Sequence, residues 1–574
     1  MPTSSNVSPA EPAVGAGRAG RRHRVLVALT PLAAYLAVSC LYFALPVAGD
    51  LDTELIAAGD SDPSAFLWFL VWWPHALTDG LNPFVSSQIN PPGGYNLTWT
   101  TPMLAPSLVL APVTAAFGPV VSYNVLGVLS PALRAFAGYA LCRHLTGRTA
   151  PSLLAGYVFG FSPFVLGEAR GHVLFLLLAM LPLVVLLVIR GIEGSIGTRR
   201  LVAGLTAALT FQFLTAVEVF AMGTVFGGAV LVGVGLLAPS ARAAVLRVAR
   251  PLAAAYGLTV VLVSPYLFYM LFRDHVEPAH ADPDVFSSDA LSFIVPTGLE
   301  RLGRRQFAGA AATFDQLGGY GGSGVAYVGV PLLIIVLVFA VQRWSRLSTR
   351  VSVLSFAGIA LAALGPRLRI ANAETVWLPW EAVTHLPLLG KALPYRVSAF
   401  LFLALAVILA LWLSDRPSLG RWAAALAGVA LLLPNLGQGI WETDARTPAF
   451  FTGGLHRREL SPRDRVLVVP YYGVGVRGHA LADMRFKMVV AYLGAIPEPD
   501  QADPALGMIY TGRLTPGYPA AIRRFVDHHR ITVIVVRSAE APPLLPLFAS
   551  LGGAAPREVG GMLVYRLRPA PAGS

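Results

Sequence analysis

Two carboxylates stand out as candidates for chemistry, Asp60 and Asp62, within Gly59-Asp60-Ser61-Asp62-Pro63-Ser64-Ala65-Phe66-Leu67-Trp68. A carboxylate within hydrogen-bond reach of a hydroxyl can take its proton, so the pair offers a general base, with Asp62 ahead of Asp60. The same residues also read as a helix start, because Asp followed by Pro is the pattern of an N-cap with proline at the first helical position. Both readings stand. Asp50 and Asp52 lie closer to the preceding apolar run and read as loop carboxylates. The acid pair invites a divalent cation, but no His or Glu partner sits at ligand spacing.

A second constellation is Glu168-Ala169-Arg170-Gly171-His172, a short turn between two apolar runs. Three ionisable groups in such a turn are expensive unless they face a polar cavity or remain solvated. Glu218 occupies another such turn, and Trp73-Pro74-His75 brings His75 toward the same side of the chain. Pro394-Tyr395-Arg396 opens a late apolar run. An arginine at a helix N-terminus gains nothing from the helix dipole, so Arg396 calls for an anionic partner: Asp, Glu or phosphate. Arg273 and His275 are weaker candidates of the same kind. No Ser-His-Asp order, HExxH, Walker or CxxC spacing occurs. The run Gly318-Gly319-Tyr320-Gly321-Gly322-Ser323-Gly324 is expected to be flexible. It lacks phosphate-loop spacing and follows no strand.

These candidates sit in a chain of 574 residues, 55% hydrophobic and only 13% charged, where ordinary soluble domains carry about 25% charge. No soluble fold of this length hides so much apolar side chain, so the bilayer is the expected solvent. The net charge of +12 does not signal nucleic acid, because its arginines sit in short loops between apolar runs. The only cysteines, Cys40 and Cys142, lie in apolar segments and exclude a disulfide framework in the C-terminal part. Residues 1–22 are rich in Pro, Gly, Ser and Ala and are expected to be a disordered cytoplasmic tail. The first apolar run reads as a retained helix rather than a cleaved signal.

Apolar periodicity predicts eleven spans, near 25–47, 119–142, 149–167, 173–190, 201–217, 219–238, 251–272, 325–342, 351–365, 397–414 and 421–436. With the N-terminus inside, the cytoplasmic loops are those with Arg143/Arg148, Arg190/Arg199/Arg200, Arg242/Arg247/Arg250, Arg343/Arg346/Arg350 and Arg416/Arg421. Every one carries arginine, as the positive-inside rule requires. The opposite side receives the long first loop 48–118, the turns at Glu168–His172 and Glu218, and Pro394–Arg396. Within that loop, 63–79 reads as a helix along the membrane interface, where Trp68, Trp72 and Trp73 would settle. Pro102–Phe117 reads as a second helix in, or re-entering, the outer leaflet. Arg134 is the main charge inside a span.

After about Asn435 the pattern changes to alternating strands and helices, a small extracytoplasmic α/β domain over 437–574. Strands are expected at Arg465–Pro470, Ile531–Val536 and, as an edge, Gly561–Arg566, with helices at Pro519–His529 and Ala541–Leu551. Arg477-Gly478-His479 and Met484-Arg485-Phe486-Lys487 read as a solvated basic surface or as contacts to an anionic glycan or headgroup. Asn96-Leu97-Thr98 matches a glycosylation sequon that is common by chance.

The pattern Asp62-Pro63, four residues, then Trp68 and an apolar run resembles the bacterial branch of the GT-C superfamily of polytopic membrane glycosyltransferases. So does Gly118-Pro119-Val120-Val121-Ser122-Tyr123-Asn124 at the second span. The resemblance covers about residues 25–436 as architecture and is short as motif. It implies a helical membrane bundle with a long first outer loop, an essential aspartate in that loop and often an extracytoplasmic soluble domain. It further implies a polyprenyl-phosphate sugar as donor and an envelope glycan, lipid or protein as acceptor. On that basis Asp62 or Asp60 is the base. Arg170, His172 and Arg396 are candidates for the donor phosphate, and Glu168, His75 and Tyr395 for substrate contacts. The competing classes are a lipid or polysaccharide transporter and a non-catalytic envelope assembly protein. Against transport, the chain lacks matching halves with paired broken helices.

Overall fold

The computed structural model describes residues 29–100, 102–276, 282–303, 305–315, 323–386, 390, 392–437, 441–551 and 555–567. The expected disordered tail 1–22 and the glycine run at 318–322 lie outside them. The chain is mostly helical. Among the described residues six helices are long and apolar enough to cross a membrane: Leu104–Thr146, Thr149–Glu168, Val173–Ile192, Val217–Leu237, Pro239–Leu262 and Pro394–Asp415. Leu29–Ala44, Val330–Arg343, Leu347–Ala363 and Leu419–Ala430 are shorter apolar helices. Their outward faces leave large apolar side chains uncovered, among them Val232, Leu246, Val261, Leu337 and Val341. Water would not tolerate so much exposed apolar surface, whereas acyl chains would. Helices suit that solvent because every backbone hydrogen bond closes within the segment.

Where helices meet, small residues let the backbones approach. A Cβ on Gly156 would stand 2.6 Å from the Ala135 carbonyl oxygen, and one on Gly160 2.8 Å from that of Pro131. This is the small-xxx-small packing of membrane helices. Arg134, the charge inside a span, is fully buried at the same contact. Its Nε donates to the Phe159 carbonyl at 2.9 Å, and its guanidinium lies 4.3 Å over the Phe159 ring.

The segment 102–117 is joined to the following span as one helix, Leu104–Thr146, broken at Gly118 (φ 85°, ψ 168°) ahead of Pro119. The Thr114 and Ser122 hydroxyls meet at 2.9 Å. Eight residues of straight helix would hold them about 12 Å apart, so the two halves bend sharply. Glycine alone enters that φ without strain.

The ends of the bundle differ in their charges. At one end Arg343 and Arg346 pair with Asp415 and Arg421 donates to Gln342. At the other the long first loop, Glu168–His172, Glu218 and Tyr395–Arg396 gather with the C-terminal region.

That region carries a five-stranded mixed sheet. Strand β1 (Arg465–Val469) lies parallel to both β2 (Lys487–Met488) and β3 (Val533–Arg537). Strand β5 (Met562–Arg566) pairs antiparallel with β3, and β4 (Arg557–Val559) with β5, giving the order β4-β5-β3-β1-β2. The last strand is therefore interior, not the edge expected: the tight turn at Gly560 and Gly561 folds it back on β4. The 541–551 segment is two short helical turns, Pro542–Leu544 and Leu545–Ala549, because Pro542, Pro543 and Pro546 interrupt a longer helix.

The helix Ser61–Thr78 corrects the interfacial reading. Trp68, Trp72 and Trp73 are at most 1% exposed and share a core with the sheet residues Val466, Val468, Val535 and Met562. Phe66, Leu67 and Leu70, on the opposite face, pack into the helical bundle. Each indole N–H has found a protein acceptor: His479 Nδ1 at 3.0 Å, the Pro83 carbonyl at 2.8 Å and the Pro102 carbonyl at 2.6 Å. An amphipathic ring satisfied in this way has no need of a membrane interface. The C-terminal sheet thus shares its core with the first loop rather than standing apart.

Candidate functional site

The first loop reaches its position through backbone ties. Asn124, in the broken long helix, donates from Nδ2 to the carbonyls of Leu51 and Glu54 and accepts from the Ile56 N–H. The Ala58 N–H donates to the Arg170 carbonyl at 2.7 Å. Glu54–Leu55 pairs antiparallel with Thr443–Asp444. The start of helix Ser61–Thr78 is thereby fixed between the 168–172 turn on one side and the C-terminal region on the other.

Asp62 lies in the first turn of that helix, 19% exposed, and Asp60 just before it. Asp60, which occupies the N-cap position, makes no side-chain capping hydrogen bond. The Tyr492 hydroxyl donates to Asp62 Oδ1 at 2.9 Å, while His172 Nε2 stands 3.6 Å from Oδ2. His172 Nδ1 is in turn 3.2 Å from Glu168 Oε2, and Glu168 is fully buried. A line of polar groups therefore runs from Tyr492 through Asp62 and His172 to Glu168. Burial and the Asp62 charge push the Tyr492 phenol well up, so it holds its proton and acts as donor. Burial disfavours the charge on His172, but the Glu168 and Asp62 carboxylates outweigh it and raise the imidazole to about 9.

This has a consequence for stability. The folded value lies above the ordinary 6.5, so the ion pairing is fully present below about pH 6.5 and is lost as pH rises through about 9. Thermal unfolding in lipid between pH 6 and pH 10 should show stability falling across that window. His172→Gln should flatten the fall; an unchanged slope in that variant would assign it to another group.

Asp60 faces a different partner. Arg477 Nη1 donates to Asp60 Oδ1 and, at 2.9 Å, to the Ser64 hydroxyl, while its Nε donates to Thr447 at 2.9 Å. Arg477 is 1% exposed and His479 fully buried, so this segment is neither solvated nor available to a glycan or headgroup. Burial presses the His479 imidazole down to about 4. Neutral, it accepts from Trp68 at Nδ1 and donates from Nε2 to the Phe486 carbonyl at 2.9 Å. At Gly473 a Cβ would overlap the Asp60 carboxylate, which explains a glycine there.

Arg396 has the anionic partner its position called for, and it is a carboxylate: Nη1 pairs with Glu218 Oε2, and the Leu393 N–H donates to Glu218 Oε1 at 3.1 Å. The guanidinium also lies 4.2 Å over the Phe175 ring, with Nε donating to the Tyr395 hydroxyl at 3.1 Å. His75 is not brought to the aspartates. It follows Asp62 by thirteen residues, about 20 Å of helix, and pairs with Asp79 at 3.6 Å. Asn96 is buried, with Nδ2 donating to the Tyr269 and Asp274 carbonyls, so the sequon is no acceptor in this fold.

Among the described residues no group of three or more His, Cys, Asp or Glu side chains is placed to hold a metal ion. The acid pair does not fit a divalent cation, since Asp60 faces a guanidinium and Asp62 an imidazole and a phenol.

Sequence inspection missed Tyr492 as part of this site, placed Arg477 on the surface, and noted Glu218 without its link to Arg396. Gly473-Val474-Gly475-Val476-Arg477, a charge amid small and apolar residues, was a signal that Arg477 is buried. Tyr492 carried none.

With this geometry the chain can be set beside known proteins. No protein-family model matches it, and no curated protein matches it by sequence. Solved structures do share its fold. The archaeal oligosaccharyltransferase from Archaeoglobus fulgidus, in complex with an inhibitory peptide and a dolichol-phosphate, superposes with a TM-score of 0.51 at 11% identity, over 96% of this chain and 75% of that one. The same organism's enzyme in complex with Zn and sulfate gives 0.52 at 12% identity, over 94% and 73%. Arabinofuranosyltransferase from Mycobacteria gives 0.52 at 15% identity, over 93% of this chain but only 40% of that one. At these identities the likeness shows a shared fold: the chain is folded like these solved membrane glycosyltransferases.

Proposed function

We propose that the chain is a membrane glycosyltransferase that moves a sugar from a polyprenyl-phosphate donor to an envelope glycan, lipid or protein acceptor on the outer face. The observation that carries this reading is the carboxylate of Asp62, held between the Tyr492 hydroxyl and the His172–Glu168 pair at one end of the bundle. Asp62 takes the proton of the acceptor hydroxyl as its oxygen bonds to the anomeric carbon. The bond from that carbon to the phosphate oxygen breaks, and polyprenyl phosphate departs with the electron pair. Tyr492 and His172 orient the carboxylate. Asp60, tied to Arg477, holds the C-terminal region against the helix. Arg170, His172 and Arg396 supply positive charge for the departing phosphate. Arg396 uses Nε and one Nη1 hydrogen in its described contacts, and a guanidinium carries five N–H groups.

The reading is tested with purified protein in lipid and a panel of polyprenyl-phosphate donors, each bearing a different labelled sugar. Transfer or release of label from at least one donor is expected; turnover of none overturns it. Sidedness is tested separately. Reporters fused after Arg200 or Arg346 should report cytoplasm and one after Ser574 the outside. A cytoplasmic C-terminus would put the acid pair on the wrong face for an outer-leaflet donor.

A further inference from the structure

We propose that Tyr472, Tyr510 and Glu540 form a saccharide subsite that holds the acceptor as a glycan beside the acid pair; it rests on the glycosyltransferase reading above. Three segments of the C-terminal region converge here. Tyr471 and Tyr472 follow the carboxyl end of β1, and Ser538–Glu540 follows the carboxyl end of its parallel neighbour β3. Tyr510 sits in the last turn of helix Pro504–Thr511. Ligands of parallel α/β sheets characteristically bind outside the carboxyl ends of the strands.

The three phenol rings cluster, with centroid separations of 5.5 Å for Tyr472–Tyr510, 5.6 Å for Tyr471–Tyr472 and 6.2 Å for Tyr471–Tyr510. Tyr471 is buried and backs the cluster, Tyr472 is half-buried, and Tyr510 is 60% exposed. The face of an aromatic ring is the negative end of its quadrupole and attracts the weakly positive C–H face of a sugar ring. Glu540 adds an unmet acceptor. Its Oε1 takes Arg537 Nη1 at 3.4 Å, but its buried Oε2 has no hydrogen-bond partner among the described residues. A buried carboxylate oxygen left without a donor is costly, and a sugar hydroxyl would supply the donor.

The cluster adjoins the acid pair. Gly473, next to Tyr472, presses against the Asp60 carboxylate, and the Tyr492 N–H donates to the Tyr471 carbonyl at 3.3 Å while its hydroxyl holds Asp62. The Asp60 charge reaches both the Tyr472 phenol and the Glu540 carboxyl. Charge also selects the occupant. Asp60 and Glu540 would repel a phosphate, and Arg477 is already committed to Asp60, so the subsite suits a neutral polyol rather than the donor's phosphate or an anionic headgroup.

The test is equilibrium binding of the full chain in lipid to an array of defined arabino-, galacto-, manno- and gluco-oligosaccharides, with no donor present. The wild type should retain at least one of them. Tyr510→Ala should weaken that binding about tenfold, from the loss of one stacking ring, and Tyr510→Trp should keep it. Glu540→Gln should weaken binding of the same oligosaccharide. Since Tyr510 is largely exposed, its variants fold. No oligosaccharide bound by wild type, or unchanged binding by both Tyr510→Ala and Glu540→Gln, overturns the subsite. Either result leaves donor turnover untouched, so failure here is distinct from failure of the glycosyltransferase reading.

Discussion

Asp62→Asn should lower the rate of sugar transfer about 10²- to 10⁴-fold while the protein stays folded and in the membrane. Asparagine keeps the shape of aspartate, and its Oδ1 can still accept from the Tyr492 hydroxyl, which now meets Asp62 at 2.9 Å. It cannot take a proton from an attacking hydroxyl. The measurement is label transferred from a purified polyprenyl-phosphate donor by wild type and variant in the same lipid. Unimpaired transfer would remove the base from this loop and move the assignment to Glu168, which His172 links to the same line of groups. The matching change at Asp60 has a different expected outcome. Asp60→Asn weakens the tie to Arg477, so its cost should appear in stability more than in the chemical step.

The second large effect concerns that tie. Arg477→Ala should destabilise the packing of the C-terminal sheet on helix Ser61–Thr78 by about 3 kcal/mol, the lower end for breaking a buried pair, because Asp60 is 30% exposed and partly screened. The loss has two parts. Asp60 keeps a charge without its partner, and the Ser64 and Thr447 hydroxyls lose a donor. Transfer activity should fall with it, since Tyr492 reaches Asp62 only from the docked C-terminal region. Heat-induced unfolding and protease nicking of this region in lipid give the readout. A double-mutant cycle with Asp60→Asn isolates the pair. The double variant should cost clearly less than the sum of the single changes, because neither charge is then left alone. Strict additivity would mean that the two side chains do not stabilise one another.

The His172 pair and the Asp60–Arg477 pair divide the labour at this end of the bundle. One holds the Asp62 carboxylate, 19% exposed; the other joins Asp60, 30% exposed, to a guanidinium that is itself buried. Of the residues proposed for substrate, Arg396 shows why composition alone does not assign a role. An arginine opening an apolar helix requires an anion; Glu218 provides one, so the phosphate role proposed for Arg396 rests on its remaining N–H groups and not on an unmet charge.

The sequence by itself determined the solvent and the broad architecture. Apolar runs of helical length, with arginine in alternate loops, leave a bilayer as the medium in which the backbone can close its own hydrogen bonds. It also singled out Asp60 and Asp62 as candidate bases or a helix start, Glu168, Arg170 and His172 as ionisable groups costly in a turn between apolar runs, and β1 and β3 from their apolar, β-branched runs. Tertiary structure decided the rest, because those features are set by partners far away in the chain. Trp68, Trp72 and Trp73 have the composition of an interfacial helix, and only the sheet built from residues beyond 460 buries them in protein. Arg477 and Asp60 are separated by 417 residues, and Tyr492 and Asp62 by 430. A phenol or a guanidinium carries no local mark of the carboxylate it will meet. The kink at Gly118 and the approach at Gly473 are likewise glycines among many, singled out only once a φ of 85° or a neighbouring carboxylate forbids any other side chain.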